Sequence, residues 1–139
     1  MAGQIVIAAM VVDTEDEARA RAILADLVNA AGVEAADVRW QLYPKLGAHS
    51  KLSAALRWPG VTEPQAVIDA CERLAGLVVA AESLPGAYLN SFIQDDGALF
   101  HNRIFDNRME TFLRPDILWL DIEAHTHPDR QAELAALFR

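Results

Sequence analysis

Only one cysteine, Cys71, occurs in the 139 residues. That excludes an intramolecular disulfide and any thiolate-rich metal centre. Its companions in a helical stripe, Val67, Leu74 and Val78, mark it as a small buried thiol rather than a nucleophile. Long apolar runs are also missing: the longest, Ile5 to Val12 and Leu74 to Ala81, fall far short of the ~18 residues a membrane helix needs. The opening Met-Ala-Gly-Gln has neither the basic start nor the cleavage site of a secretory leader, so a cytoplasmic chain with no membrane contact is expected. Positive charge is scarce. Twelve Lys and Arg against twenty Asp and Glu leave a formal charge of −8, whereas a nucleic-acid surface needs clustered bases to replace phosphate counterions. No nucleic-acid partner is expected. The glycine-rich phosphate loop, H-E-x-x-H, G-x-S-x-G and paired-cysteine motifs are all absent, so the sequence assigns no catalytic residue, no cofactor and no metal.

What is present suits one folded unit spanning 1–139, since a 53% hydrophobic chain of this length can build a single core. The acidity is uneven. Residues 1–60 hold seven acids and six bases, while residues 61–139 hold thirteen acids and six bases. An acidic second half is either a solvated surface or a docking face for a basic protein.

Gln4 to Val12, rich in Ile and Val and free of charge, reads as a central strand. Thr14-Glu15-Asp16-Glu17 has capping-box spacing, and Ala20, Ile23, Leu24, Leu27, Val28 and Ala31 continue as a helical stripe that Gly32 stops. Val38, Trp40 and Leu42, then Leu52, Ala54, Leu56 and Trp58, alternate as two strands joined through Pro44 to His49. Thr62-Glu63-Pro64-Gln65 repeats the capping spacing before a stripe of Val67, Cys71, Leu74, Ala75 and Val78, with Asp69, Glu72 and Arg73 turned outward. Strand, helix, strand, strand, helix resembles the opening of a ferredoxin-like split βαβ fold. The resemblance implies an α+β architecture with two helices on one face of a mainly antiparallel sheet. A C-terminal extension follows: a hairpin, Tyr88 to Gln94 and Ala98 to Phe105 around Asp95-Asp96-Gly97; a strand, Asp116 to His125; and a short helix after His127.

That last strand holds the nearest thing to a chemical site. Period-2 reading puts Leu118, Leu120, Ile122 and Ala124 on the core face and Ile117, Trp119, Asp121, Glu123 and His125 on the other, with His127 beyond. Carboxylates and imidazoles at that pitch could chelate a divalent ion, yet Asp-x-Glu-x-His-x-His is not a recognised metal motif, and zinc sites more often combine ligands from separate elements. His101 and Arg103 share a face of the preceding strand, where Arg103 is placed to pair with Asp121 or Glu123 across the ladder, or to clamp an anion.

With no enzyme signature, the expected function is protein–protein binding by a small acidic protein, as in an immunity protein or inhibitor of a basic toxin or nucleic-acid-binding enzyme. The expected binding residues are Trp119, Asp121, Glu123, His125, Asp95, Asp96 and Glu110. The alternative is a small-molecule-binding protein or enzyme on a dimeric ferredoxin-like scaffold, with His101 and Arg103 lining its pocket beside Asp121, Glu123 and His125. A homodimer that buries its sheet is compatible with either.

Overall fold

A computed structural model describes residues 4–43, 49–126 and 128–138. The elements run β1 (Ile5–Val12), α1 (Glu17–Ala31), β2 (Glu34–Tyr43), β3 (His49–Arg57), α2 (Pro64–Gly76), β4 (Tyr88–Ile93), β5 (Leu99–Asp106), β6 (Ile117–His125) and α3 (Pro128–Ala135), with single 3-10 turns at Ala81–Ser83 and Ala136–Phe138. The strands form one six-stranded sheet of order β2-β3-β1-β6-β5-β4, and every neighbouring pair is antiparallel.

The apolar alternation of β1 explains its central place. Val6, Ala8, Met10 and Val12 point to one face, where they share a core with Ala20, Ile23, Leu24 and Leu27 of α1 and Val67, Cys71 and Leu74 of α2. Both helices therefore cover the same side of the sheet. On the other side Ile5, Ile7 and Ala55 meet Leu134, Ala135 and Phe138 of the C-terminal helical segment. Ala132 and Leu137 of the same segment are exposed. Beyond this corner the second face of the sheet carries no helix among the described residues.

The ferredoxin-like expectation gives way to a coarser description. In the simple split βαβ pattern the strand after the second helix is the fourth and last. Here the chain leaves α2 for the far edge of the sheet as β4, returns as β5, and only β6 reaches β1. The fold is α+β, with a six-stranded antiparallel sheet and three helices.

Local chemistry corrects three further expectations. The cap of α1 is Asp16, whose carboxylate accepts from Arg19 N at 3.1 Å, while Thr14 Oγ1 accepts from Asp16 N at 3.2 Å one step earlier. At α2 Pro64 opens the helix behind Glu63, and no side chain caps it. Most consequentially, the β1–β6 register slips between Val11 and Val12, which pair with Trp119 and Ile117. The extra residue is Leu118. Ile117 therefore turns into the core and Leu118 turns out toward the open face, the reverse of a strict alternation.

Candidate functional site

The open face is organised in rows that run across the strands. One row runs Arg39–Ser53–Ala9–Asp121–Ile104–Tyr88, and the next toward the C-terminal end of β1 runs Gln41–Lys51–Val11–Trp119–Asp106. Toward the other end Glu123 pairs with Asn102 and Asn102 with Asn90, then His125 with Phe100 and Phe100 with Phe92. Phe92 and Phe100 stack at 5.5 Å, and His125 meets the Phe100 ring edge-on at 6.0 Å.

Charge on this face is divided by strand. Arg39, Lys51 and Arg57 lie on β2 and β3, with Arg39 paired to Asp37 and Arg57 to Glu34. On β4, β5 and β6 the one Lys or Arg is Arg103, which points to the helix side and is 3% exposed. Asp121 and Glu123 stand on the open side of β6. Burial pushes the Asp121 carboxyl up, against the opposing hydrogen bond from Asn102 Nδ2 at 2.7 Å and the charge of Lys51.

At the Trp119 end, a cavity of about 500 Å³ is bounded by Val11, Tyr43, His49, Lys51, Leu118 and Trp119, with Asp106, Asn107 and Arg108 on its rim. Lys51 Nζ sits 5.9 Å from the centre of the Trp119 ring. Arg108 forks onto Asp106, with contacts of 3.1, 3.2 and 2.7 Å, and that pairing holds the Asp106 carboxyl below its ordinary range.

On the helix side His101 and Arg103 form a different cluster. Glu72 of α2, expected to face outward, instead reaches the sheet: its Oε2 accepts from Arg103 Nε at 3.1 Å and lies 3.4 Å from His101 Nε2. Arg103 also donates to the carbonyls of Leu84 at 2.7 Å and Ala87 at 3.3 Å, so it pairs with neither Asp121 nor Glu123. The other nitrogen of His101 meets Ser91 Oγ of β4 at 2.8 Å. Ser91, His101 and Glu72 have the residue types of a hydrolytic relay. Arg103 shares the Glu72 oxygen, however, and His101 is 2% exposed, so the set acts as a clamp joining α2 to the sheet.

Trp119, Asp121, Glu123 and His125 thus share one face as expected, while His101 and Arg103 occupy the opposite one and do not complete a pocket with them. Asp95 and Asp96 lie in the β4–β5 turn at the His125 end, whereas Glu110 follows β5 at the Trp119 end, where it accepts from Asp106 N at 3.0 Å. His127 lies outside the described residues. Among those described, no group of three or more His, Cys, Asp or Glu side chains could hold a metal ion, and no helix is long and apolar enough to cross a membrane. Sequence reasoning missed Lys51 and His49 as neighbours of Trp119, because the contact requires β1 to lie between β3 and β6. Comparison of the chain with family models, curated proteins and solved structures finds no match in any of the three.

Proposed function

We propose that this chain works by binding another protein, with β4 and the acidic half of the open sheet face as its docking surface. The observation that carries the reading is β4 itself. All six of its residues are exposed, with Tyr88 at 51%, Leu89 at 54%, Phe92 at 48% and Ile93 at 46%. It is an edge strand of sequence Tyr-Leu-Asn-Ser-Phe-Ile, without the Lys, Pro or bulge that edge strands use to repel a pairing chain. An apolar edge of this kind suits a partner that adds a strand to the sheet.

Charge favours a basic partner. The exposed carboxylates beside this edge are Asp95, Asp96 and Glu123, with His125 next to them and no exposed Lys or Arg on β4, β5 or β6, and the chain as a whole is −8. An inhibitor of, or immunity protein against, a basic toxin or nucleic-acid-binding enzyme is the concrete form of this reading.

The test compares immobilised wild-type protein with Phe92→Lys and Leu89→Lys in extracts of the source cells, the fold of each variant being checked by circular dichroism. A retained basic protein that is released by salt, lost with either lysine, and rebound as purified protein supports the reading. Equal retention by wild type and folded variants refutes it. A wild-type homodimer that Phe92→Lys dissolves, with no other protein retained, would instead assign the edge to a second copy of this chain.

A further inference from the structure

We propose that the cavity at the Trp119 end of the open face is a binding site for a small aromatic carboxylate. It neither includes β4 nor depends on a protein partner. Its floor is apolar: Val11 is buried there, and the slip in the β1–β6 register turns Leu118 outward to join it. Trp119 and Tyr43 supply flat walls. A volume of about 500 Å³ lies within the range of small-molecule pockets.

The polar groups select the ligand. Arg108 and Asp106 neutralise each other at the rim, so that pair adds no net charge. Lys51 has no carboxylate within ion-pair distance among the described residues, and its ammonium lies over the Trp119 ring. Asp121, the acid whose field reaches Lys51, is held by Asn102 one row away. His49 Nδ1 is buried without a hydrogen-bond partner, 3.5 Å from Asp13 Oδ1. The cavity therefore combines a lysine cation, paired by no carboxylate among the described residues, with two aromatic rings on an apolar floor, while the buried His49 Nδ1 is turned to the Asp13 carboxylate. A simple anion would leave the rings and floor unused. A neutral apolar molecule would bury the cation without an answering charge. A carboxylate on an aromatic ring meets both demands: its oxygens answer the Lys51 ammonium, and its ring packs on Trp119 or Tyr43.

The probe is 2-naphthoate, followed by calorimetry and by tryptophan fluorescence, with 2-naphthamide as the neutral isostere and acetate as the anion without a ring. The expected result is saturable binding at one site, weakened at least about tenfold by Lys51→Met and by either change of ligand. Asp121→Asn, which removes the competing charge, should tighten binding. Trp119→Phe should abolish the fluorescence response while calorimetry still detects binding. The proposal is overturned if 2-naphthoate shows no saturable binding, if 2-naphthamide binds as well, or if Lys51→Met keeps wild-type affinity and melting temperature.

Discussion

Glu72 answers two buried bases with one carboxylate. Burial by itself would raise its pKa, but the hydrogen bond with His101 and the charge of Arg103 outweigh that and hold it below its ordinary value of 4.5. A carboxylate with a lowered folded-state pKa contributes stability that is fully present above the unfolded value and lost as pH falls through the folded one. Glu72→Gln should therefore cost about 1 kcal/mol near neutral pH, because the amide oxygen can still accept from Arg103 Nε but the partly exposed negative charge that answers Arg103 is lost. The gap from wild type should narrow below pH 4.5, as the wild-type carboxylate itself becomes protonated. Urea unfolding of both proteins across that range checks the sign, and a gap that widens in acid would refute it. Asp121 has the opposite sense, its raised pKa making the charged form unfavourable above the unfolded value. At this scale Cys71 was legible, because a stripe with Val67 and Leu74 can only face a core; burial, with the nearby Glu72 charge, pushes its thiol up to about 12. Glu72 was not legible, since a charged residue on a helix reads as solvated until its strand neighbours are known. The one sequence signal was the pair His101 and Arg103 at alternate positions between Leu99 and Phe105, two basic groups on an apolar face that needed an acid from elsewhere.

Elements were read correctly wherever hydrophobic period and turn chemistry agreed, as at Gly32, whose φ of 64° ends α1, and Gly97, whose φ of 87° closes the β4–β5 turn. Starts and registers were less legible. A capping box specifies a spacing, yet at Thr14 a second good cap two residues later wins, and at Thr62 proline sets the start instead. The slip at Val11 leaves no local mark in the sequence. The docking of α3 was also hidden, because it depends on one side chain 126 positions from its partner. Gln131 completes the end of β1 as a neighbouring strand would: its Oε1 accepts from Ile5 N at 2.9 Å, and its Nε2 donates to Ile5 O at 3.1 Å and His125 O at 2.7 Å. Gln131→Ala should leave the Ile5 amide without that partner and cost about 1–3 kcal/mol. Leu134 and Phe138 should then pack more loosely on Ile5 and Ile7. Hydrogen exchange at Ile5 should accelerate well before global unfolding, while the α1–α2 core keeps its protection. Equal protection in both proteins would show that apolar packing alone holds α3.

For the whole molecule, strand order decides what each half of the chain can do. Turn chemistry and period-2 reading together identified the strands of the C-terminal extension but not their positions, since alternation tells which face is buried and not which strand is the neighbour. The depth of β6 was visible in Leu120, Ile122 and Ala124, whereas nothing in Tyr-Leu-Asn-Ser-Phe-Ile alone marks it as the edge. The consequence is an open face with the bases of β2 and β3 on one side and the acids of β6 on the other, continued by Asp95 and Asp96 at the β4–β5 turn. Glu110, at the opposite end and bonded to the Asp106 amide, is separated from that group. If a basic protein docks on the acidic side, these exposed acids act on encounter, and the apolar edge acts on residence. With a partner in hand, raising salt from ~50 to ~500 mM should slow association by about tenfold or more while changing dissociation little. Replacing Asp95, Asp96 and Glu123 together by their amides should reproduce most of that loss at low salt. Phe92→Ala should leave association nearly unchanged and accelerate dissociation, at a cost of about 2 kcal/mol if Phe92 is a buried anchor. Stopped-flow mixing separates the two effects. Wild-type rates for both variants would move the interface to the β2–β3 side, where Arg39, Tyr43 and Arg57 would be the next residues to replace.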